Sequence, residues 1–197
     1  MLNAKELSLI ITFGGLAIAL NPTISGIGIP YPLLPGMIFQ IWEIPTVAAF
    51  LLFGLKKGIS VAGINSAFLL TIYPGMAQPW YWLGSFISVS SMMLGVYISH
   101  KIINHNYSEK IQKPSKLKIL TASLALGVLF RVVFMAPVML AILSVLTYPP
   151  LAVSRVATVV LPLQAVYNII VPLYMIPTGY LIAKVVNRNL KVGNQII

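Results

Sequence analysis

The stretch "FQIWEIPTVAAFLLFG", residues 39–54, sets a glutamate, Glu43, between Trp42 and Pro45 at the mouth of an uninterrupted apolar run. The chain has three acidic residues in 197, so the position of this one calls for a reason. An ionised carboxylate in hydrocarbon costs several kcal/mol unless it is paired or hydrated. Two readings are compatible. Glu43 meets the positive end of a helix that Pro45 opens, with Trp42 anchoring the interface. It also stands where a carboxylate would floor a pocket and accept protons from a ligand's hydroxyls or amines.

Composition fixes the solvent. Hydrophobic residues make up 58%, charged residues 8%, and mean hydropathy is +0.93. A soluble domain carries about 25% charged residues, so lipid must surround most of this chain. There is no cysteine, which excludes disulfides and thiolate metal sites. The apolar run after Lys5 lacks a following A-x-A-like cleavage site, so the first span is expected to stay.

Outward from the opening stretch, hydropathy predicts an all-α integral membrane protein, residues 1–197 forming a single six-helix membrane domain. The spans are about 6–21, 44–55, 58–74, 80–100, 117–147 and 156–186. The second is short and must borrow flanking residues or lie beneath a neighbouring loop. The net charge of +10 follows the same plan rather than a nucleic-acid surface. Lys5, Lys56, Lys57, Lys101, Lys110, Lys113, Lys116, Lys118, Lys184, Arg188 and Lys191 all fall on one side of a chain that crosses six times. The positive-inside rule then places both termini in the cytoplasm, with a cytoplasmic basic loop at about 101–118. His100 and His105 are expected to be solvated there.

The opposite side has one long connection, about 21–43, with four prolines and three glycines. Non-helical backbone at membrane depth must be buried in protein or line a cavity. This Pro/Gly-rich outer loop reads either as a lid over an outward-facing pocket or as a re-entrant segment.

Several polar residues sit within apolar spans. Arg131 is about fourteen residues into the fifth span, either binding ligand oxygens or clamping a neighbouring helix. Gln164 and Asn168 lie four apart on the sixth, with Tyr167 adjacent, and present amides suited to a heterocycle of mixed polarity. Trp80, in "QPWYWLG", is either an interfacial anchor or a ring that stacks on a ligand. Asn65 reads as a helix–helix hydrogen bond. There is no G-x-x-x-x-G-K-[ST] phosphate loop, no G-x-S-x-G and no paired carboxylates, which argues against an enzyme.

Taken together, "FQIWEIPTVAAFLLFGLKKGISVAGI", "FRVVFMAPVML" (130–140) and "VLPLQAVYNIIVPLY" (160–174) resemble the substrate-binding S component of energy-coupling factor (ECF) vitamin transporters. The likeness is greatest to the riboflavin-specific branch. Glu43-Ile44-Pro45 occupies the place of that branch's Asp-Ile-Pro, and Gln40 replaces an earlier acid. "APVMLAIL" stands where the branch has Asn-Tyr, and Val171-Pro172 where it has a lysine. The resemblance implies a subunit that captures riboflavin or another vitamin as transported ligand, with no further cofactor and no metal. It implies a transmembrane coupling subunit and two cytoplasmic ATPases as partners. Ligand-binding roles are expected for Gln40, Glu43, Trp80, Arg131, Gln164, Tyr167 and Asn168, the family's motifs falling at Gln40, Glu43, Arg131 and Asn168. Gly15 and Ala19, four apart in "FGGLAIAL", would meet the coupling subunit in the place of the family's Ala-x-x-x-Ala. A channel, or a non-transporting assembly protein on the same bundle, is the rival reading.

Overall fold

A computed structural model of the chain describes residues 4–34, 37–72, 81–108, 115–146 and 151–190. The elements run α1 (Ala4–Ala19), α2 (Pro22–Ser25), β1 (Ile29–Pro30), β2 (Ile38–Phe39), α3 (Glu43–Phe53) and α4 (Leu55–Ile72). They continue with α5 (Tyr81–Ser108), α6 (Lys116–Ala141), α7 (Val153–Arg155) and α8 (Leu161–Leu190). π-helical turns at Ile142–Leu146 and Val156–Val160 prolong α6 and lead into α8. Among the described residues, three stretches are long and apolar enough to cross a membrane: Trp82–His105, Lys116–Val145 and Val153–Asn189.

The helices are arranged inside out relative to a water-soluble bundle. Leu117, Leu129, Val133 and Phe134 of α6 and Leu173, Leu181 and Val185 of α8 are exposed, while Gln164, Asn168 and Arg131 are buried. An apolar surface of that extent is untenable in water; hydrocarbon accepts it. α3 is the centre. Every residue from Pro45 to Phe53 is buried, as a helix apolar on all sides requires. It packs on α1, α4 and α8. Gly54, at φ 87°, ends it in a backbone region open to glycine, and its N–H returns to the Phe50 carbonyl at 2.8 Å.

α5 and α6 run antiparallel, Met92 lying beside Arg131 and Ser99 beside Ser123. Gly95 lets them approach: a Cβ there would lie 2.3 Å from the Leu126 carbonyl oxygen. Near the basic end, Lys57 pairs with Glu6 at 2.7 Å, which aligns the starts of α1 and α4. Asn21 caps α2 through the Thr23 N–H and donates to Asn65 Oδ1 at 3.3 Å, the inter-helix bond expected of Asn65.

Two expectations change. The stretch 101–118 is not loop throughout, because α5 continues to Ser108 and α6 begins at Lys116. His100 is therefore not solvated. It is buried against α6, with Nε2 3.2 Å from Ser123 Oγ, which is itself 3.1 Å from Ser99 Oγ. A polar run such as "HKIINHNYS" reads as loop by composition, yet a helix supplies its own backbone partners and α6 supplies the hydroxyl.

The α5–α6 contact gives a direct test. Gly95→Ala forces backbone apart and is expected to destabilise the detergent-purified chain by about 1–3 kcal/mol. Gly15→Ala, with nothing within 4 Å of its Cβ position, should leave thermal unfolding unchanged or slightly raised. Equal melting of both variants in a size-exclusion thermostability assay would contradict this packing.

Candidate functional site

The depth of Glu43 follows from the length of its helix. α3 has 11 residues and ends one residue before the Leu55-Lys56-Lys57 turn. Eleven residues rise about 16 Å, half of a hydrocarbon core of about 30 Å. If Lys56 and Lys57 mark one membrane surface, Glu43 lies near the midplane, not at the opposite edge.

At that depth the carboxylate meets Arg131. Nη2 donates to Oε1 at 2.9 Å and Nη1 to Oε2 at 2.5 Å, a bidentate pair joining α3 to α6 across 88 residues of sequence. Arg131 Nε donates to Asn168 Oδ1 of α8 at 3.2 Å. Nη1 also lies 3.8 Å from Met92 Sδ of α5. Glu43 is 0% exposed, Arg131 1% and Asn168 3%, so neither ion has water in place of the other. The planar fork of arginine matches the carboxylate in a way a lysine would not.

Above this floor, β1 and β2 pair antiparallel, with Ile29 opposite Phe39 and Pro30 opposite Ile38. The Tyr31 N–H bonds the Met37 carbonyl at 2.8 Å and closes the hairpin. Two tyrosines tie it to α8 in opposite senses. Tyr167 Oη of α8 donates to the Ile38 carbonyl at 2.8 Å, and Tyr31 Oη of the hairpin donates to the Leu163 carbonyl at 3.0 Å. These bonds serve carbonyls that lipid would leave unpaired. The rings form one cluster: Phe39 stacks on Tyr167 with centroids 5.5 Å apart, and Tyr31 meets both rings edge-on. Tyr174 meets Phe39 edge-on at 6.3 Å. Trp42 is fully buried and donates its indole N–H to Gln40 Oε1 at 3.0 Å.

Most of the expected site residues converge here. Gln40, Glu43, Arg131, Tyr167 and Asn168 lie between the hairpin, α3, α6 and α8, and Gln164 is buried one turn before Asn168. Trp80 lies outside the described residues. Gly15 and Ala19 are far from this cluster in role: both are exposed on α1, whereas Gly14 and Ala17 are buried and Gly14 packs on Ile64. Tyr31, Phe39 and Tyr174 were not anticipated. Tyr167 and Tyr174 are seven apart and so share a helix face, a signal the sequence did contain. No group of three His, Asp or Glu able to hold a metal occurs among the described residues.

No protein-family model and no curated protein matches this sequence. Its fold does match the solved structure of the S component of a bacterial ECF transporter. The TM-score is 0.70 with 20% identity, over 95% of this chain and 98% of that one. The S-component fold is shared. The match spans nearly the whole chain, from α1 to α8.

The pair should dominate stability locally. Glu43→Gln or Arg131→Met alone leaves one buried charge without its partner and is expected to cost about 3–5 kcal/mol. The double variant should lose clearly less than the sum of the two. Additive losses across a thermal double-mutant cycle would contradict a direct buried pair.

Proposed function

We propose that this chain is the substrate-capture subunit of an ECF-type ABC transporter, importing a vitamin, riboflavin or a related flavin in the first instance. The observation that carries this reading is the buried aromatic and amide cluster covered by a hairpin, within an S-component fold. A flat conjugated heterocycle takes rings on its faces and amides on its edges, and Tyr31, Phe39, Tyr167, Gln40, Gln164 and Asn168 offer both. The β1–β2 hairpin acts as the lid, opening when the two tyrosine–carbonyl bonds release.

In this reading the chain crosses the membrane six times, with both termini cytoplasmic and the lid outside. α1, α3 and α4 complete the six. α3 needs only half the thickness because the outer loop supplies the rest. A different vitamin or heterocycle is the second reading, favoured by Val171-Pro172 in the place of the riboflavin branch's lysine.

Energy would come from partners. A transmembrane coupling subunit would dock on the open face of α1, where Gly15 and Ala19 point away from the bundle. Small residues four apart allow close helix approach in lipid. Two cytoplasmic ATPases would complete the transporter.

Two measurements test these claims. Riboflavin fluorescence should quench on adding the purified chain and saturate at one flavin per chain. Asn168→Ala should weaken binding at least about tenfold, the order of one lost charge-assisted or amide hydrogen bond. No quenching at micromolar flavin would remove the flavin assignment. Separately, Gly15→Leu with Ala19→Leu should abolish co-purification with the coupling subunit while leaving ligand binding intact. Normal assembly of that variant would move the docking face elsewhere.

A further inference from the structure

The charges of the site and its surroundings can be counted side chain by side chain. The chain's acids are Glu6, Glu43 and Glu109. Glu6 is bonded to Lys57 at the basic end, and Glu109 falls in the basic loop outside the described residues. Glu43 is therefore the one acid among the described residues near the hairpin, and both its oxygens are taken by Arg131. The cations are as sparse. Lys118 precedes Arg131 by 13 residues and Lys184 follows Asn168 by 16. Both lie on the order of 20 Å or more away along their helices. Arg155 is exposed, roughly two and a half turns before Gln164.

The rest of the cluster is uncharged: Gln40, Trp42, Gln164, Tyr167, Asn168 and Tyr174. The two ions present neutralise each other through a bidentate contact, and Arg131 spends its Nε on Asn168. A charged ligand entering beneath the hairpin would meet no free counter-ion among these side chains. It would have to bury its charge uncompensated or break the pair and strand one member. Both cost several kcal/mol in hydrocarbon.

From this we infer that the site selects an electrically neutral cargo and rejects the phosphorylated or otherwise ionised form of the same ring system. The Glu43–Arg131 pair is the selectivity element: Arg131 holds the carboxylate that would attract cations, and Glu43 holds the guanidinium that would attract anions. Neutral hydroxyls and ring amides remain bound by Asn168, Gln164 and Gln40. The inference rests on the capture reading above and deepens it by naming the charge class of what is captured.

Matched pairs test it on the wild-type chain in nanodiscs, by calorimetry at pH 7. Suitable pairs are riboflavin with flavin mononucleotide, pyridoxine with its 5′-phosphate, and nicotinamide with nicotinate. Whichever ring binds, the neutral member should bind about 100-fold tighter or more, the scale of one uncompensated charge at membrane depth. Equal or tighter binding of the charged member overturns the inference while leaving capture itself standing. Binding of neither member in any pair overturns the capture reading and this inference with it. Glu43→Gln adds a readout that a merely structural pair would not move. With Arg131 unneutralised, the preference should shift toward the anionic member by at least about tenfold. An unchanged ratio in a folded Glu43→Gln protein would overturn the assignment of selectivity to the pair.

Discussion

The structure depends on one ion pair placed where ions are least welcome. Arginine at the centre of a bilayer costs about 2.5–3.5 kcal/mol on insertion scales, and more on an isolated helix. Glu43 offsets that cost only if its carboxylate reaches the same depth. α3 carries it there: the 11-residue helix begins at Glu43, and both Glu43 and Pro45 to Phe53 are buried. The stretch before α3 joins the bundle through the β1–β2 hairpin, which Tyr31 and Tyr167 tie to α8. α8 is fixed third, through Asn168 on the guanidinium.

The hairpin is held by side chains rather than by its own ladder. A two-residue ladder is marginal by itself. It persists because Tyr31 and Tyr167 exchange hydroxyl bonds with carbonyls across the hairpin–α8 boundary and because Phe39 fills the gap between the rings. Those contacts are few, local and exchangeable for contacts to a flat ligand. The core around α3 is different: it is buried along its length, and nothing in it needs to move for the hairpin to lift. A buried floor and a lightly held cover suit the capture role proposed above.

Much of the fold was legible in the sequence and much of the site was not. Apolar runs separated by lysines gave helices close to those observed, because solvent choice is a property of composition. Glu43, Arg131 and Asn168 were each legible as anomalies, since each is too polar for its surroundings. Their meeting was not. α6 is apolar almost all round, as a lipid-facing helix is, so no stripe reveals which way Arg131 points. Glu43 reads equally as the acid that opens a helix and as the floor of a pocket, and neither reading names its partner. His100 was misplaced because polar residues around it suggested solvent, while Ser99 and Ser123 had been provided inside. Hydropathy reads depth along a span, and the partner across a helix interface escapes it.

The most direct test of the account is a structure of the chain purified with riboflavin, in lipid nanodiscs with a rigid antibody fragment to aid alignment. Ligand density is expected between the hairpin and α8, within hydrogen-bonding reach of Asn168, with the Glu43–Arg131 contact intact beneath it. Density elsewhere, or a ligand that parts Glu43 from Arg131 and binds one of them, would contradict it.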